Sequence, residues 1–285
     1  MLSLLTRFAA EDGPSVHVAP ATDFTVAGID ITNSMLYGWI VSVLLIVGLI
    51  YLARRVTIKP KGGVTQYLEA GVTFVSDLVV NAFDDKKIGR KYVPFFVTLF
   101  FFVLLNNLAG LIPVVGEGFQ VDGHPVFRPM TGDLNTTLAI GVVTMVVVYV
   151  ASIREVGGFG KYIRHFFMGS PFNPLYLLIG LIEMLTDLTR ALSLALRLFL
   201  NVAIGEIVIA VFAYLGGVAA PLTALPFTLL EIGVGALQAY IFVILGVNYL
   251  AITVNSTHAH DDAHDDLTED VPAETMGVRV KGVEA

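Results

Sequence analysis

Charged and amide side chains inside long apolar segments are the residues of this sequence that could do chemistry. The members of this group are Glu183, Asp187, Arg190, Arg197, Asn201, Glu206, Glu231, Gln238 and Asn248. A charged side chain at the centre of a membrane helix costs about 2.5–3.5 kcal/mol on insertion-based scales. A chain keeps such residues where they transfer protons or ions, or where they form hydrogen bonds between helices.

Helical spacing divides these residues between two faces. Glu183, Arg190 and Arg197 follow each other at intervals of seven residues, which keeps them within about 40° of one face. Asn201 stays near this face because it lies one helical turn beyond Arg197, whereas Glu206 lies about 180° away. The sequence therefore predicts a polar stripe around Arg197 and a separate carboxyl group on the opposite side.

The last two apolar segments are predicted to form an antiparallel hairpin with a defined register. Glu231 and Gln238 lie seven residues apart on one face of the final segment. Placing Arg197 level with Gln238 centres the turn between residues 217 and 218. Placing Glu206 level with Glu231 centres it between residues 218 and 219, so the two pairings agree within one residue. The glycine pair at 216–217 is where a turn is expected.

A structural role competes with a functional one for some of these residues. Asn201, Gln238 and Asn248 could serve only as hydrogen-bond partners between helices. Arg197 has no acidic residue within one turn, so its counter-ion must come from another helix or from another subunit. Glu206 and Glu231 would repel each other if both were ionised at one depth, which favours a wet, proton-accessible cavity over a dry core.

The composition predicts that membrane helices position these residues. Of the 285 residues, 55% are hydrophobic and only 14% are charged, and the mean hydropathy is +0.78. Soluble domains carry about 25% charged residues, so an ordinary soluble enzyme is excluded. The net charge of −7 excludes a nucleic-acid binder, which would need a basic face. The absence of cysteine excludes a disulfide framework, a zinc ribbon and a thiol nucleophile.

Five apolar segments are long enough to span a membrane, since a span needs about 20 residues. Their approximate bounds are 34–53, 93–114, 134–151, 174–213 and 221–254. The last two exceed the bilayer thickness, so they must tilt, break or extend beyond it. In residues 64–83, apolar residues recur at helical spacing and polar residues fall on the opposite face. This pattern predicts an amphipathic helix that lies at the membrane interface or packs on neighbouring spans. Residues 158–167 are predicted to form a second, shorter one.

The distribution of cations predicts the orientation. Between the spans, Lys and Arg fall almost entirely on one side, and Arg7 and Arg128 are the exceptions. An excess of cations marks the cytoplasmic side. Residues 1–32 are therefore predicted to form an arm outside, in preference to a cleaved signal peptide. Residues 256–285 are predicted to form a polar, acidic tail on the cytoplasmic side.

Two further features of the polar segments carry predictions. The tail is most simply disordered, and metal capture is the alternative; the candidate ligands are His258, His260 and His264. Asp133 and Asn135 are predicted to cap the start of the third span.

The residues around Arg197 resemble the signature of subunit a of F-type ATP synthases. They read Ser-Leu-Ala-Leu-Arg-Leu-Phe-Leu-Asn-Val-Ala-Ile-Gly-Glu over 193–206, and Glu231 with Leu-Gln-Ala-Tyr-Ile-Phe-Val-Ile-Leu over 237–245 is similar to the same family. Asn-Asn-Leu-Ala-Gly-Leu-Ile-Pro at 106–113 resembles the end of that family's second span, and Asp-Leu-Asn-Thr-Thr at 133–137 the start of its third. The resemblance covers roughly residues 33–255.

The resemblance implies a fold and a set of roles. The fold is an all-α polytopic membrane protein of about five membrane helices plus an interfacial amphipathic helix. Its last two helices form a long, tilted hairpin against a ring of c subunits, each with one membrane carboxylate. Arg197 matches the essential arginine that faces the ring, and Gln238 lies beside it. Residues that match the outer aqueous half-channel are Asn201, Glu206 and Glu231. Residues that fall on the side of the inner half-channel are Glu183, Asp187 and Arg190.

The function that the resemblance implies is proton conduction by a stator subunit. Two offset half-channels would carry protons to and from the ring carboxylates, and Arg197 would separate them. Many members of the family pair a His with a Glu at the outer depth, whereas Glu206 and Glu231 are both acidic here. A His relay is therefore absent, and a shared proton or a bound water would replace it.

The expected partners are the c-subunit ring, b-type peripheral stalk subunits, the F1 sector indirectly, and membrane lipid. The expected location is a bacterial plasma membrane. No Gly-x-x-x-x-Gly-Lys-Ser/Thr loop occurs, so no ATP site is expected on this chain, and no cofactor or metal is expected. A secondary transporter or channel is the competing class, but it predicts internal repeats that the sequence does not show. A purely structural scaffold is the third possibility.

Overall fold

Helices dominate the part of the chain that the computed structural model describes, which comprises residues 22–26, 29–54, 63–112, 115, 120–121, 124–125, 128–158, 160 and 174–269. The helices are α1 (Asn33–Arg54), α2 (Val64–Asn81), α3 (Lys86–Gly110), α4 (Leu134–Glu155), α5 (Pro174–Gly216) and α6 (Ala220–Glu269). Short strands form two antiparallel hairpins, β1 (Thr22–Val26) with β2 (Ile29–Thr32) and β3 (Gln120–Val121) with β4 (His124–Pro125). Single 3-10 turns occupy Met130–Gly132 and Gly217–Ala219.

Five of the helices are long and apolar enough to cross a membrane. The qualifying stretches are Asn33–Tyr51, Lys86–Gly110, Leu134–Glu155, Leu188–Gly216 and Ala220–Asn255. The prediction of an all-α polytopic protein with about five membrane helices is therefore confirmed. The predicted N-terminal arm falls mainly outside the described residues, apart from β1 and β2.

The second span differs from the segment that hydropathy indicated. It begins at Lys86 rather than near residue 93, because Asp85 caps it and its carboxylate accepts a hydrogen bond from the backbone N–H of Lys87 at 2.8 Å. It ends at Gly110 rather than at residue 114, so the predicted end is wrong. The sequence places Pro113 just beyond, and the residue before a proline disfavours helical backbone.

The amphipathic helix predicted at 64–83 is present as α2, which ends at Asn81. Its apolar face packs against α3, where Val75 and Val79 are fully buried. The loop between α2 and α3 is held by α6, because the Asn255 amide donates to the carbonyl of Ala82 at 3.3 Å and accepts from the N–H of Asp84 at 3.4 Å. Its position at the membrane interface stays a prediction. The shorter helix predicted at 158–167 lies largely outside the described residues.

The core lies where α2 to α6 converge. One buried residue from each of these helices illustrates it: Val79, Phe96, Val148, Leu198 and Phe242. Large apolar side chains on the outward faces of α1, α4, α5 and α6 are exposed. Exposed apolar surface on this scale is typical of a membrane protein, where lipid or another subunit covers it.

The last two helices form the antiparallel hairpin with the predicted register. The turn contains Gly217, whose φ of 51° suits a residue without a Cβ. Phe212 and Phe227 stack across it with ring centroids 3.8 Å apart, and the hydroxyl of Thr223 donates to the carbonyl of Phe212 at 2.8 Å. The packed pair of long helices is therefore confirmed, while its tilt in the membrane stays a prediction.

The final helix continues beyond the predicted boundary at residue 255. It runs to Glu269, because residues 255–269 contain no glycine or proline that would end a helix. The prediction of a disordered tail is therefore wrong for residues 256–269. The metal-binding alternative is not resolved, since the side chains of the three tail histidines lie outside the described part of the structure.

Candidate functional site

A cavity of about 690 Å³ lies between α5 and α6, and it is called the hairpin cavity below. Four of the residues predicted from the sequence line it: Arg197, Asn201, Glu231 and Gln238. Most of the remaining lining is aliphatic and aromatic. The hairpin register brings these polar groups together, because it places residues far apart in sequence at matching heights on facing helices.

Arg197 and Gln238 share one level of the hairpin cavity, as their spacing predicted. Arg197 is exposed, and no described carboxylate lies within ion-pair distance of its guanidinium. Gln238 is only 4% exposed, and its Nε2 has no hydrogen-bond partner among the described groups. The Nδ2 of Asn201 is also buried and has no hydrogen-bond partner among the described groups. Buried amide nitrogens of this kind indicate a site that takes further polar contacts.

Glu231 is seated directly on the backbone of α5. Its side chain is only 7% exposed, and a Cβ added at Gly205 would overlap its carboxyl carbon and both its oxygens. The absence of a side chain at Gly205 therefore creates the space that the carboxyl group occupies. Sequence reasoning did not find this role, although the position of Gly205 beside Glu206 in the signature was a signal.

Glu206 lies outside the hairpin cavity, on the opposite side of α5 as its spacing predicted. Its carboxylate oxygens approach Gly132, where a Cβ would lie 3.5 Å from Oε2 and 3.8 Å from Oε1. Gly132 belongs to the 3-10 turn before α4. Glu206 and Glu231 are thus at one height but on different sides of α5, and the structure does not bring them face to face.

The residues predicted for the inner half-channel are only partly described. Arg190 is exposed, and its guanidinium lies 4.7 Å from the centroid of the Tyr249 ring, within reach of a cation–π contact. It does not line the hairpin cavity. Glu183 and Asp187 belong to α5, but their side chains are outside the described part of the structure.

A polar layer at the start of α4 ties several helices together. Asp133 caps α4 as predicted, because its Oδ1 accepts from the N–H of Asn135 at 3.0 Å. Its Oδ2 accepts from the hydroxyl of Ser34 on α1 at 2.9 Å. The capping prediction is wrong for Asn135, which contributes only its backbone N–H from inside the helix. The buried Arg128 donates to the carbonyl of Gly132 at 3.4 Å.

Asn107 is a second residue, after Gly205, whose role sequence reasoning did not find. Its Nδ2 donates to the carbonyl of Gly235 on α6 at 3.3 Å, and its side chain is 5% exposed. Gly235 lies between Glu231 and Gln238 along α6, so this bond fixes the helix near both. The signal was present in the 106–113 motif, which was used only for the resemblance.

No group of three or more His, Cys, Asp or Glu side chains suited to a metal ion occurs among the described residues. The polar side chains of the hairpin cavity carry a guanidinium, two amides, one carboxyl group and the hydroxyls of Thr189 and Ser193. This set can hold water, carry a proton and offer a fixed positive charge. It is a poor set of metal ligands, because the arginine would repel a cation.

The long apolar helices and the polar cavity between the last two define a polytopic helical membrane protein with ionisable groups at membrane depth. A family model described as ATP synthase A chain matches residues 35–251. The chain therefore belongs to the ATP synthase subunit a family, and it is an integral membrane protein.

Individual relatives agree with the family match. ATP synthase subunit a of Moorella thermoacetica is 32% identical over 244 residues, which cover 86% of this chain and 99% of the relative. The protein of the same name from Myxococcus xanthus is 32% identical over 260 residues, covering 87% and 81%. That of Hyphomonas neptunium is 33% identical over 256 residues, covering 85% and 93%.

Proposed function

We propose that this chain is the proton-conducting stator subunit of a rotary F-type ATP synthase. The observation that supports the proposal most directly is the hairpin cavity, where four charged and amide side chains meet on a largely apolar wall: Arg197, Asn201, Glu231 and Gln238. Ionisable groups at membrane depth are costly, and a proton path gives them a use. Membership of the subunit a family supports the same assignment.

In this proposal, protons enter from the outside through Asn201, Glu206 and Glu231. Glu231 borders the hairpin cavity from α6. Glu206 reaches from the other side of α5 toward the polar layer at the start of α4, which the proposal places on the outer side of the membrane. The two carboxyl groups can therefore act at successive points of an entry path, with water between them in place of a histidine. The proton then neutralises a carboxylate of a c subunit.

A neutral ring carboxyl group can pass through lipid, which an ionised one could do only at high cost. After nearly a full turn of the ring, the proton leaves through an inner half-channel. The side chains proposed to line that channel are Glu183, Asp187 and Arg190. The exposure of Arg190 on the inner half of α5 is compatible with this role.

Arg197 separates the two half-channels in this mechanism. Its guanidinium does not lose its proton in a protein, so it presents a permanent positive charge. That charge stabilises the ionised ring carboxylate and opposes a direct crossing of protons between the channels. Each elementary charge that crosses the membrane gains about 2.3 kcal/mol per 100 mV, and the offset between the channels turns this energy into rotation.

The proposed partners are the c ring, b-type peripheral stalk subunits, the F1 sector indirectly, and membrane lipid. No ATP chemistry takes place on this chain in the proposal. The proposed location is a bacterial plasma membrane, with the N-terminus outside the cell and the C-terminus on the cytoplasmic side. Leu200 and Ile204 are exposed on the same helix as Arg197, which suits a face covered by a neighbouring subunit.

ATP-driven acidification of inverted membrane vesicles tests the proposal with Arg197→Ala. Loss of a charge that pairs across an interface costs roughly 2–5 kcal/mol, so proton pumping should fall at least about thirtyfold. ATP hydrolysis by the purified complex should persist. The control is Arg154→Ala, which removes an exposed cation at the end of α4. Pumping that survives Arg197→Ala in an intact complex would refute the proposal and favour the transporter or scaffold class.

A further inference from the structure

Arg128 is a buried cation on the side of the membrane from which cations are depleted. The sequence places only Arg7 and Arg128 outside, and Arg128 is just 4% exposed. A buried guanidinium stays charged, and buried charges in proteins are paired or held by polar groups. A carboxylate close to this buried guanidinium would therefore stabilise its charge.

Gly132 connects Arg128 to a carboxylate on α5. The Nη2 of Arg128 donates to the carbonyl of Gly132 at 3.4 Å. The carboxylate of Glu206 lies against the same glycine, 3.5 Å from the position a Cβ would take. These links bring the guanidinium and the carboxylate within about 10 Å of each other, given standard backbone dimensions. Gly132 has no side chain to separate them.

Asp133 is a buried acidic residue among the described residues of this layer, and its carboxylate accepts hydrogen bonds from groups other than Arg128. One of its oxygens accepts from the N–H of Asn135 and the other from the hydroxyl of Ser34. Its carboxylate is thus committed to starting α4 and to attaching α1. Among the described residues, Glu206 is the other acidic side chain at this layer, and it lies against the glycine whose carbonyl Arg128 contacts.

We propose that Arg128 is the positioning residue of Glu206, whose carboxylate it holds at the outer polar layer as a counter-charge. The inference rests on the proposed function, because the proposed function places Glu206 at the entry of the proton path. Arg128 acts through the carboxylate and does not itself transfer a proton. Gly132 is the shared neighbour of the two groups, since a Cβ there would be in ordinary contact with both Glu206 oxygens at 3.5 and 3.8 Å.

The expected effect follows from the distance. Two unit charges about 10 Å apart at an effective dielectric constant near 20 interact strongly enough to change an equilibrium roughly tenfold to twentyfold. Removing the positive charge with Arg128→Gln should therefore lower ATP-driven proton pumping about tenfold. Arg128→Lys keeps the charge and should retain most of the pumping. A purely structural role would not distinguish the two variants by charge.

A double-substitution cycle in the assembled complex identifies the partner. Pumping in inverted vesicles is measured for Arg128→Gln in three backgrounds: wild type, Glu206→Gln and Asp133→Asn. The proposal expects that Arg128→Gln has less than about a twofold further effect once Glu206 is neutral, because coupled residues are not additive. It expects the full effect in the Asp133→Asn background.

The remaining outcomes of these experiments count either against the inference or against the proposed function. Unchanged pumping in Arg128→Gln, equal losses with Lys and Gln, or coupling to Asp133 alone would overturn the inference. Unchanged pumping in Glu206→Gln would instead refute the role of Glu206 in the proposed function. If Arg128→Gln does not assemble, the double variant with Glu206→Gln should restore assembly by removing both charges, and failure to restore it overturns the inference.

Discussion

Gly205→Ala should uncouple proton transport by displacing Glu231. The added methyl group would overlap the carboxyl group, with its Cβ at 2.5 Å from Oε1, whereas ordinary contact begins near 3.4 Å. The carboxyl group must therefore move by roughly 1 Å, and displacements of this size cost about a hundredfold in a positioned reaction. We expect ATP-driven pumping to fall between about tenfold and a hundredfold while ATP hydrolysis persists.

The assay is acidification of inverted vesicles at matched amounts of assembled complex. Gly48→Ala on α1 is the control, because a Cβ there meets nothing within 4 Å. The variant Gly205→Ala with Glu231→Ala separates the cause: with the carboxyl group absent, the methyl group should cause no further loss. Pumping at the wild-type rate in Gly205→Ala would show that the seat of Glu231 on α5 does not matter for transport, and the reasoning would be refuted.

Two predictions concern stability. Asp133→Ala should lower the thermal stability of the purified complex by about 1–2 kcal/mol, because it removes the cap of α4. Asp133→Asn should retain most of the cap contribution. Equal melting temperatures for the two variants would contradict this prediction. Phe242→Ala should destabilise the chain by about 3–5 kcal/mol, because Phe242 is fully buried in the core. The second effect is measured as the rate at which a protease digests the membrane-bound chain at increasing detergent concentration. Resistance to digestion equal to that of wild type would exclude this destabilisation.

The register of the last two helices could be predicted because independent residue pairs had to agree. Arg197 with Gln238 and Glu206 with Glu231 gave nearly the same turn, and the structure has its turn at Gly217. Polar residues in an apolar helix are few, so their spacing carries much information about which faces meet. The same logic placed Glu206 on the far side of α5.

Features that depend on a close approach between distant segments could not be predicted. The seat of Glu231 on Gly205 requires the distance between two helices, which a sequence pattern does not give. The bond from Asn107 to Gly235 and the burial of Arg128 likewise arise from tertiary packing. Helix ends were missed for a local reason, because hydropathy does not register a cap such as Asp85 or the absence of helix breakers beyond residue 255.

The exposure of Arg197 also has a consequence for biogenesis. In the isolated chain its guanidinium stands on a face that includes the exposed Leu200 and Ile204, where lipid would otherwise lie. An arginine facing the bilayer centre costs about 2.5–3.5 kcal/mol, roughly a hundredfold in an equilibrium constant. In the proposed function, assembly with a ring subunit that offers a carboxylate would remove this cost. We therefore expect the free energy of burying Arg197 to favour assembly of newly inserted chains over the isolated state.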